Sequence, residues 1–269
     1  MQSDKAASLA AILGAMPSVT IAVSGGVDSL TLAVFAGRNL GHDRVTVMHA
    51  VSPAVPPDAT ARVVHFAELE NWRLRQIDAG EFHDENYRRN PVDRCFFCKG
   101  NLYGTIAPLA KGTILSGTNT DDLGEYRPGL KAAEAHDVRH PFVEAGLDKQ
   151  AVRALARTLG LAGVAELPAS PCLSSRVETA IRIEPEVLEA IDAVERLVAG
   201  RLAPKTVRCR LRRSGIVVEL DADTFGAVDD ATRATLATGI SALLPTTLSG
   251  SAIAFAPYRN GGAFVGARP

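Results

Sequence analysis

The chain has 269 residues, 46% of them hydrophobic and 22% charged, which suits one large α/β domain or a medium domain with a smaller one behind it. A formal charge of −1 excludes a molecule-wide basic surface for nucleic acid or an anionic membrane, so any anion site must be local. Four cysteines are too few for a disulfide scaffold, no stretch is apolar enough to span a bilayer, and residues 1–15 lack the marks of a secretory leader, so a cytoplasmic protein with reduced thiols is expected.

Residues 19–23 read as a β-strand and 28–38 as the helix that follows. A second strand over 44–50 leads to a helix over 58–71, with further strands at 74–78 and 112–117. Strands separated by helices predict an α/β fold with a doubly wound, mostly parallel sheet, whose ligands sit at the carboxyl ends of the strands. From about Ile183 the pattern changes: a helix over 185–199, strands at 207–211 and 216–220 paired across Arg213, Ser214 and Gly215, a mainly helical stretch over 223–243, and more strand within 247–256. Helix plus antiparallel strands predicts a smaller C-terminal α+β domain, with domains over 1–178 and 179–269.

The first strand runs into Ser24-Gly25-Gly26-Val27-Asp28-Ser29. Two glycines let the backbone approach an anion, the following helix adds the positive end of its dipole, and Ser24 and Ser29 supply hydroxyls. Asp28 can cap that helix or hold Mg²⁺. The loop is neither a Walker A nor a dinucleotide fingerprint, and by itself it also reads as a tight strand-to-helix turn. Gly117-Thr118-Asn119-Thr120-Asp121-Asp122 ends a later strand as an Asx-rich turn, and Arg127-Pro128-Gly129 follows, its arginine able to meet a phosphate or carboxylate. His49 reads as a core or loop residue.

Cys95 and Cys98 form a C-x-x-C between Arg94 and Lys99, open to reading as a redox pair, half a zinc site or two cluster ligands. Cys172 stands in a polar, Pro-bounded segment ending at Arg176, which could favour its thiolate. On the strand at 207–212, alternation puts Arg208, Arg210 and Arg212 on one face and Cys209 on the packing face. Three adjacent guanidinium groups need an anion or carboxylates between them. Glu195 and Glu219 are candidate Mg²⁺ or substrate contacts.

In this order, the glycine loop, Arg94-Cys95-x-x-Cys98-Lys99, Gly117-Thr118-Asn119-x-Asp121-Asp122, Arg127-Pro128-Gly129 and Cys172-Leu173-Ser174-Ser175-Arg176 resemble the LarE family. Its members are ATP-dependent sulfur transferases of nickel-pincer nucleotide biosynthesis within the PP-loop ATP pyrophosphatase superfamily. The resemblance runs from the first strand to about Glu219. It implies that Ser24, Gly25, Gly26, Asp28, Ser29, Thr118, Asn119 and Asp122 hold ATP, with Asp28 on Mg²⁺. It implies a small-molecule nucleotide substrate, a pyridinium dicarboxylate, contacted by Arg176, Arg208 and Arg210. The family supplies sulfur in two ways: a sacrificial cysteine, here Cys172, or a [4Fe-4S] cluster on three cysteines, here Cys95, Cys98 and Cys172. The three-cysteine pattern makes the cluster version the expectation, reloaded by sulfide or a sulfur donor, in a homo-oligomer. The rivals are a PP-loop enzyme that thiolates tRNA, an ammonia-using ligase like NAD synthase, and a non-catalytic nucleotide-binding regulator.

Overall fold

The computed structural model describes residues 2–124, 128–259 and 261–263. The chain divides into two compact units. One comprises Met1–Glu81 with Cys95–Ser170, the other Phe82–Arg94 with Pro171–Pro269.

In the first unit, strands β1 (Val19–Ala22), β2 (Val45–Ala50), β3 (Arg73–Ile77) and β4 (Thr113–Ser116) form an all-parallel sheet in the order β3-β2-β1-β4. Every residue of Val45–His49 in β2 and of Val19–Ile21 in β1 is buried, as expected of strands covered on both faces. Buried Thr20 is compatible with that position because its hydroxyl donates to Lys111 O and accepts from Lys111 N. At the edge, β3 exposes Arg73 and Arg75, charges that discourage pairing with another chain.

Helix α1 (Gln2–Gly14) precedes β1 and buries Leu9 and Leu13, four residues apart on one face. Helix α2 (Val27–Leu40) follows β1, with an almost continuously buried run from Leu30 to Gly37 that forms the centre of the core. Helix α3 (Pro57–Leu69) joins β2 to β3, with Pro in its first turn, where the missing N–H costs nothing. Helix α4 (Arg94–Ile106) carries the C-x-x-C, a short α5 (Pro128–Glu134) follows β4, and α6 (Lys149–Thr158) packs on α2. Because β1 leads to β2 on one side while β4 joins on the other, the order reverses between β1 and β4. In sheets of this kind ligands bind at the carboxyl ends of the strands where the order reverses.

The second unit holds helix α7 (Pro185–Leu202) and strands β5 (Val207–Arg212), β6 (Gly215–Leu220) and β7 (Ile253–Pro257). Strands β5 and β6 form the expected hairpin, but β7 pairs with β6 in parallel, so the sheet is mixed rather than purely antiparallel. The helices between them, Ala222–Ala227 and α8 (Asp230–Ser241), make the crossover that a parallel pair requires. A reading along the chain sets one cut near Glu178, whereas packing puts residues 82–94 with the second unit. The reason is hydrogen bonding. Asn90, fully buried with φ +54°, donates from Nδ2 to the carbonyls of Glu178 and Ile181 at 2.9 Å each and to Val177 at 3.3 Å. Tyr87 Oη meets Ser174 Oγ at 2.5 Å, and Ile183 N donates to Arg88 O. No helix among the described residues is long and apolar enough to cross a membrane.

Candidate active site

From β1 the chain turns through Ser24, Gly25 and Gly26 into α2. Gly25 lies at φ +81°, and a Cβ there would stand 2.6 Å from Ala59 O, so both conformation and space require glycine. One turn along α3 from Ala59, Arg62 donates to Gly25 O at 2.7 Å, so one helix braces the loop at two points. Ser29 Oγ accepts from Ser24 N at 3.1 Å, lies 3.2 Å from Ser24 Oγ and donates to Gly26 O, which ties the loop to the first turn of α2. Gly26 is the N-cap of α2 and no side chain caps the helix there, so its first amides meet no intrahelical carbonyl. The sequence offered Asp28 as that cap. The structure places it in the first turn instead, with its carboxylate directed elsewhere.

The loop after β4 docks against this one. A Cβ on Gly117 would lie 2.7 Å from Ser29 N and 2.9 Å from Ser29 Cα, so glycine is what lets the second loop approach the start of α2. Asn119, buried, ties the two together: Nδ2 donates to Asp28 Oδ1 at 3.2 Å, Oδ1 accepts from Asp121 N, and its main-chain N donates to Asp122 Oδ2. Thr118 Oγ1 lies 3.0 Å from Ser116 Oγ, which in turn contacts His140 Nδ1 at 2.8 Å. Burial holds the His140 imidazole below its usual pKa, against the opposing pull of Glu144 and Asp122. His49 is also buried and depressed by desolvation, with Nδ1 donating to Val23 O and Nε2 at 2.9 Å from Thr60 Oγ1, a satisfied core histidine where the sequence left core or loop open.

Sequence reasoning missed Lys149. At the start of α6, next to the N-cap Asp148, its Nζ sits 2.5 Å from Asp28 Oδ2, and its main-chain N donates to Asp121 Oδ2. The glycine loop contains no cation of its own, and the fold supplies one from 121 residues downstream. A signal for α6 was present: Asp148 as a capping residue before Val152, Leu155 and Ala156 at helical spacing. Nothing in that spacing points back to Asp28. Arg127 lies outside the described residues. Gly129 of the same motif packs on α4, where a Cβ would stand 3.0 Å from Lys99 Cγ and 3.4 Å from Cys95 O.

None of the four cysteines is in a disulfide. Cys95 and Cys98 are half-buried in the first turns of α4, three residues apart and so on one face. Cys172, in the second unit, is exposed. Cys209 is fully buried on β5, where desolvation drives its thiol pKa far up, in keeping with packing. Among the described residues no three His, Cys, Asp or Glu side chains come together as a metal site.

In the second unit, two carboxylates resolve most of the arginine crowding on β5. Glu219, 1% exposed, takes Arg210 Nε at 2.9 Å and Arg212 Nη2 at 2.7 Å. Glu195 takes Arg176 in a two-pronged pair at 3.0 and 3.1 Å. Arg210 and Arg176 are both buried, Arg210 also donating to Ser175 O, and Arg176 to the carbonyls of Pro171 and Cys172. Arg208 is half-buried, 5.9 Å from the Tyr258 ring, and its guanidinium pKa is lowered by burial and by the neighbouring Arg176. Of the three arginines expected to meet substrate, Arg208 is the one that retains appreciable exposure.

A four-stranded parallel sheet with a braced glycine loop at its switch point, together with a separate smaller mixed sheet elsewhere in the chain, is a PP-loop-like α/β architecture. No protein-family model matches the chain. It is 34% identical over 224 residues to an uncharacterized protein of Synechocystis, with 82% of each chain covered. It is 29% identical over 228 residues to the pyridinium-3,5-bisthiocarboxylic acid mononucleotide synthase of Lactiplantibacillus plantarum, covering 83% of this chain and 82% of that one. An uncharacterized protein of Methanocaldococcus jannaschii is 25% identical over 216 residues, covering 79% and 81%. The chain belongs to the LarE family, that of the synthase.

Proposed function

We propose that the chain is an ATP-dependent sulfur transferase of nickel-pincer nucleotide synthesis. In this reading it adenylates the carboxylates of pyridinium-3,5-biscarboxylic acid mononucleotide and converts them to thiocarboxylates. The likeness to a synthase named for the bisthiocarboxylic product supports the substrate. The observation that carries the chemistry is the Ser24–Ser29 loop, braced by Arg62 and Ala59 and closed over by Gly117.

A carboxylate is a poor electrophile because its oxygen leaves badly. One carboxylate oxygen attacks the α-phosphorus of ATP, the bond to pyrophosphate breaks, and the acyl adenylate forms. The amides at the start of α2, Ser24 and the Lys149 ammonium hold the departing pyrophosphate, and Asp28 with the Asn119–Asp122 turn would hold Mg²⁺, which neutralises phosphate charge. A sulfur nucleophile then bonds to the acyl carbon and the C–O bond breaks, expelling AMP. Three thiols outside the core, Cys95, Cys98 and Cys172, are the donor type a [4Fe-4S] cluster takes, while buried Cys209 is not. Those three cysteines would hold such a cluster, which would supply the sulfide for transfer.

The test is anaerobic purification followed by iron and sulfide counts, then turnover with ATP, Mg²⁺, the dicarboxylate nucleotide and sulfide. About four irons per chain with repeated thiocarboxylate formation is the expected result. An iron-free chain that makes thiocarboxylate once and leaves dehydroalanine at residue 172 would replace the cluster by sacrificial use of Cys172. Pyrophosphate release without thiocarboxylate would retire the function itself. In the same assay Lys149→Met should raise the KM for ATP by ~10–100-fold, the value of a charge-assisted hydrogen bond to phosphate, with the KM of the dicarboxylate unchanged.

A further inference from the structure

Pro171 and Cys172 are exposed, but the residues directly after them, 173–177, are all buried. This base is held from two sides. Arg176, 3% exposed in its side chain, donates from Nη1 to Pro171 O at 2.6 Å, to Cys172 O at 3.2 Å and to Ser175 Oγ at 3.1 Å. Arg210 donates to Ser175 O at 3.0 Å. Each guanidinium has its own carboxylate, Glu195 for Arg176 and Glu219 for Arg210. Glu195 Oε1 also accepts from Cys209 N at 2.9 Å, so the grip runs from α7 through the edge of β5 to the Cys172 segment.

The oxygens of Pro171 and Cys172 belong to the two peptide planes on either side of the Cys172 Cα. One guanidinium nitrogen bonded to both therefore fixes both planes, and with them the backbone dihedrals from which the thiol projects. Ser175 N, donating to Cys172 O at 3.0 Å, holds the second plane again. Among the N–H groups of Arg176, Nε and Nη2 face Glu195 and Nη1 faces the segment, an arrangement that turns the side chain inward.

We propose that Arg176, with Glu195 as its counter-ion, is a positioning residue that sets Cys172 through its flanking peptide planes, rather than a group that meets the substrate. The inference rests on the role given to Cys172 in the proposed function. Lysine cannot replace this arginine, because a single ammonium cannot reach a carboxylate and both carbonyls in one plane. Removing the Glu195 charge leaves a buried guanidinium uncompensated and loosens its hold.

Two variants of the full chain, Glu195→Gln and Arg176→Lys, test this by hydrogen exchange and steady-state kinetics. The amides of Ser175 and Val177 should exchange ~10-fold faster or more, while those of β1 stay unchanged. The kcat should fall by ~10–100-fold with both KM values held within about twofold, as misplacement of a reacting group predicts. A rise of ~10-fold or more in the KM of the dicarboxylate with exchange at 171–177 unchanged would make Arg176 a substrate contact and overturn the proposal. Faster exchange throughout the second unit with kcat unchanged would reduce the pair to ordinary stability and overturn it as well. Should the wild-type chain form no thiocarboxylate, the function falls, while the exchange measurement, which needs no substrate, still judges the clamp.

Discussion

Gly25→Ala is expected to abolish ATP binding and lower the unfolding temperature together. At φ +81° an alanine carries about 1–2 kcal/mol of backbone strain. Its Cβ would also fall 2.6 Å from Ala59 O, a main-chain atom of α3 that has no rotamer by which to yield. Relief must come from moving the loop or the helix, at ~1–3 kcal/mol for overpacking of this kind. Either movement breaks the Arg62 bond to Gly25 O and tilts the amides that would face pyrophosphate. Equilibrium dialysis with ATP and a thermal melt check both halves. Wild-type nucleotide affinity in a destabilised variant would show that the loop is a structural turn and nothing more. Substitution at Gly26, where the nearest side-chain atom to a Cβ is Ser24 Oγ at 3.7 Å and φ is −85°, should be far milder and serves as the control.

The second large effect is chemical. Cys172→Ser should depress thiocarboxylate formation by roughly 10³-fold or more, the scale on which loss of a reacting group is felt. Adenylation should survive, because nothing in the glycine loop depends on residue 172, and substrate-dependent exchange of labelled pyrophosphate into ATP reads that half-reaction alone. Retained exchange with lost sulfur transfer is the expected pattern. Thiocarboxylate made at the normal rate by the serine variant would remove Cys172 from the reaction. The backbone around the site should be undisturbed, since Cys172 is exposed and its segment is held by carbonyls rather than by the thiol.

The sheet of the first unit was legible because its strands are short runs separated by helices, and in β1 and β2 burial on both faces keeps the run mostly apolar or β-branched. The glycine loop was legible because strand, Gly-Gly and helix are contiguous. What escaped was everything that depends on distant residues meeting. Lys149 is an unremarkable charge at a helix start until the fold carries it to Asp28. Arg176 closes a polar segment and was expected to meet substrate, yet it is buried, because Glu195, from a helix 19 residues away, neutralises it. The alternating arginines of β5 were readable as a shared face, but whether that face was open or closed turned on Glu219 across the hairpin. In register Glu219 lies opposite Arg208, while its carboxylate reaches Arg210 and Arg212 instead. The parallel pairing of β7 was invisible for a similar reason, since strand direction is set by the helices between β6 and β7 and not by the strand's own residues.

The strap of residues 82–94 has a consequence for how this protein can be taken apart. The chain passes between its units three times, after Glu81, Arg94 and Ser170, so neither unit is a continuous stretch of gene. A fragment beginning near residue 178 would leave the carbonyls of Glu178 and Ile181 without the Asn90 amide that satisfies them. Exchange of one unit for another requires breaks at three places at once, which ties the two halves to a common inheritance.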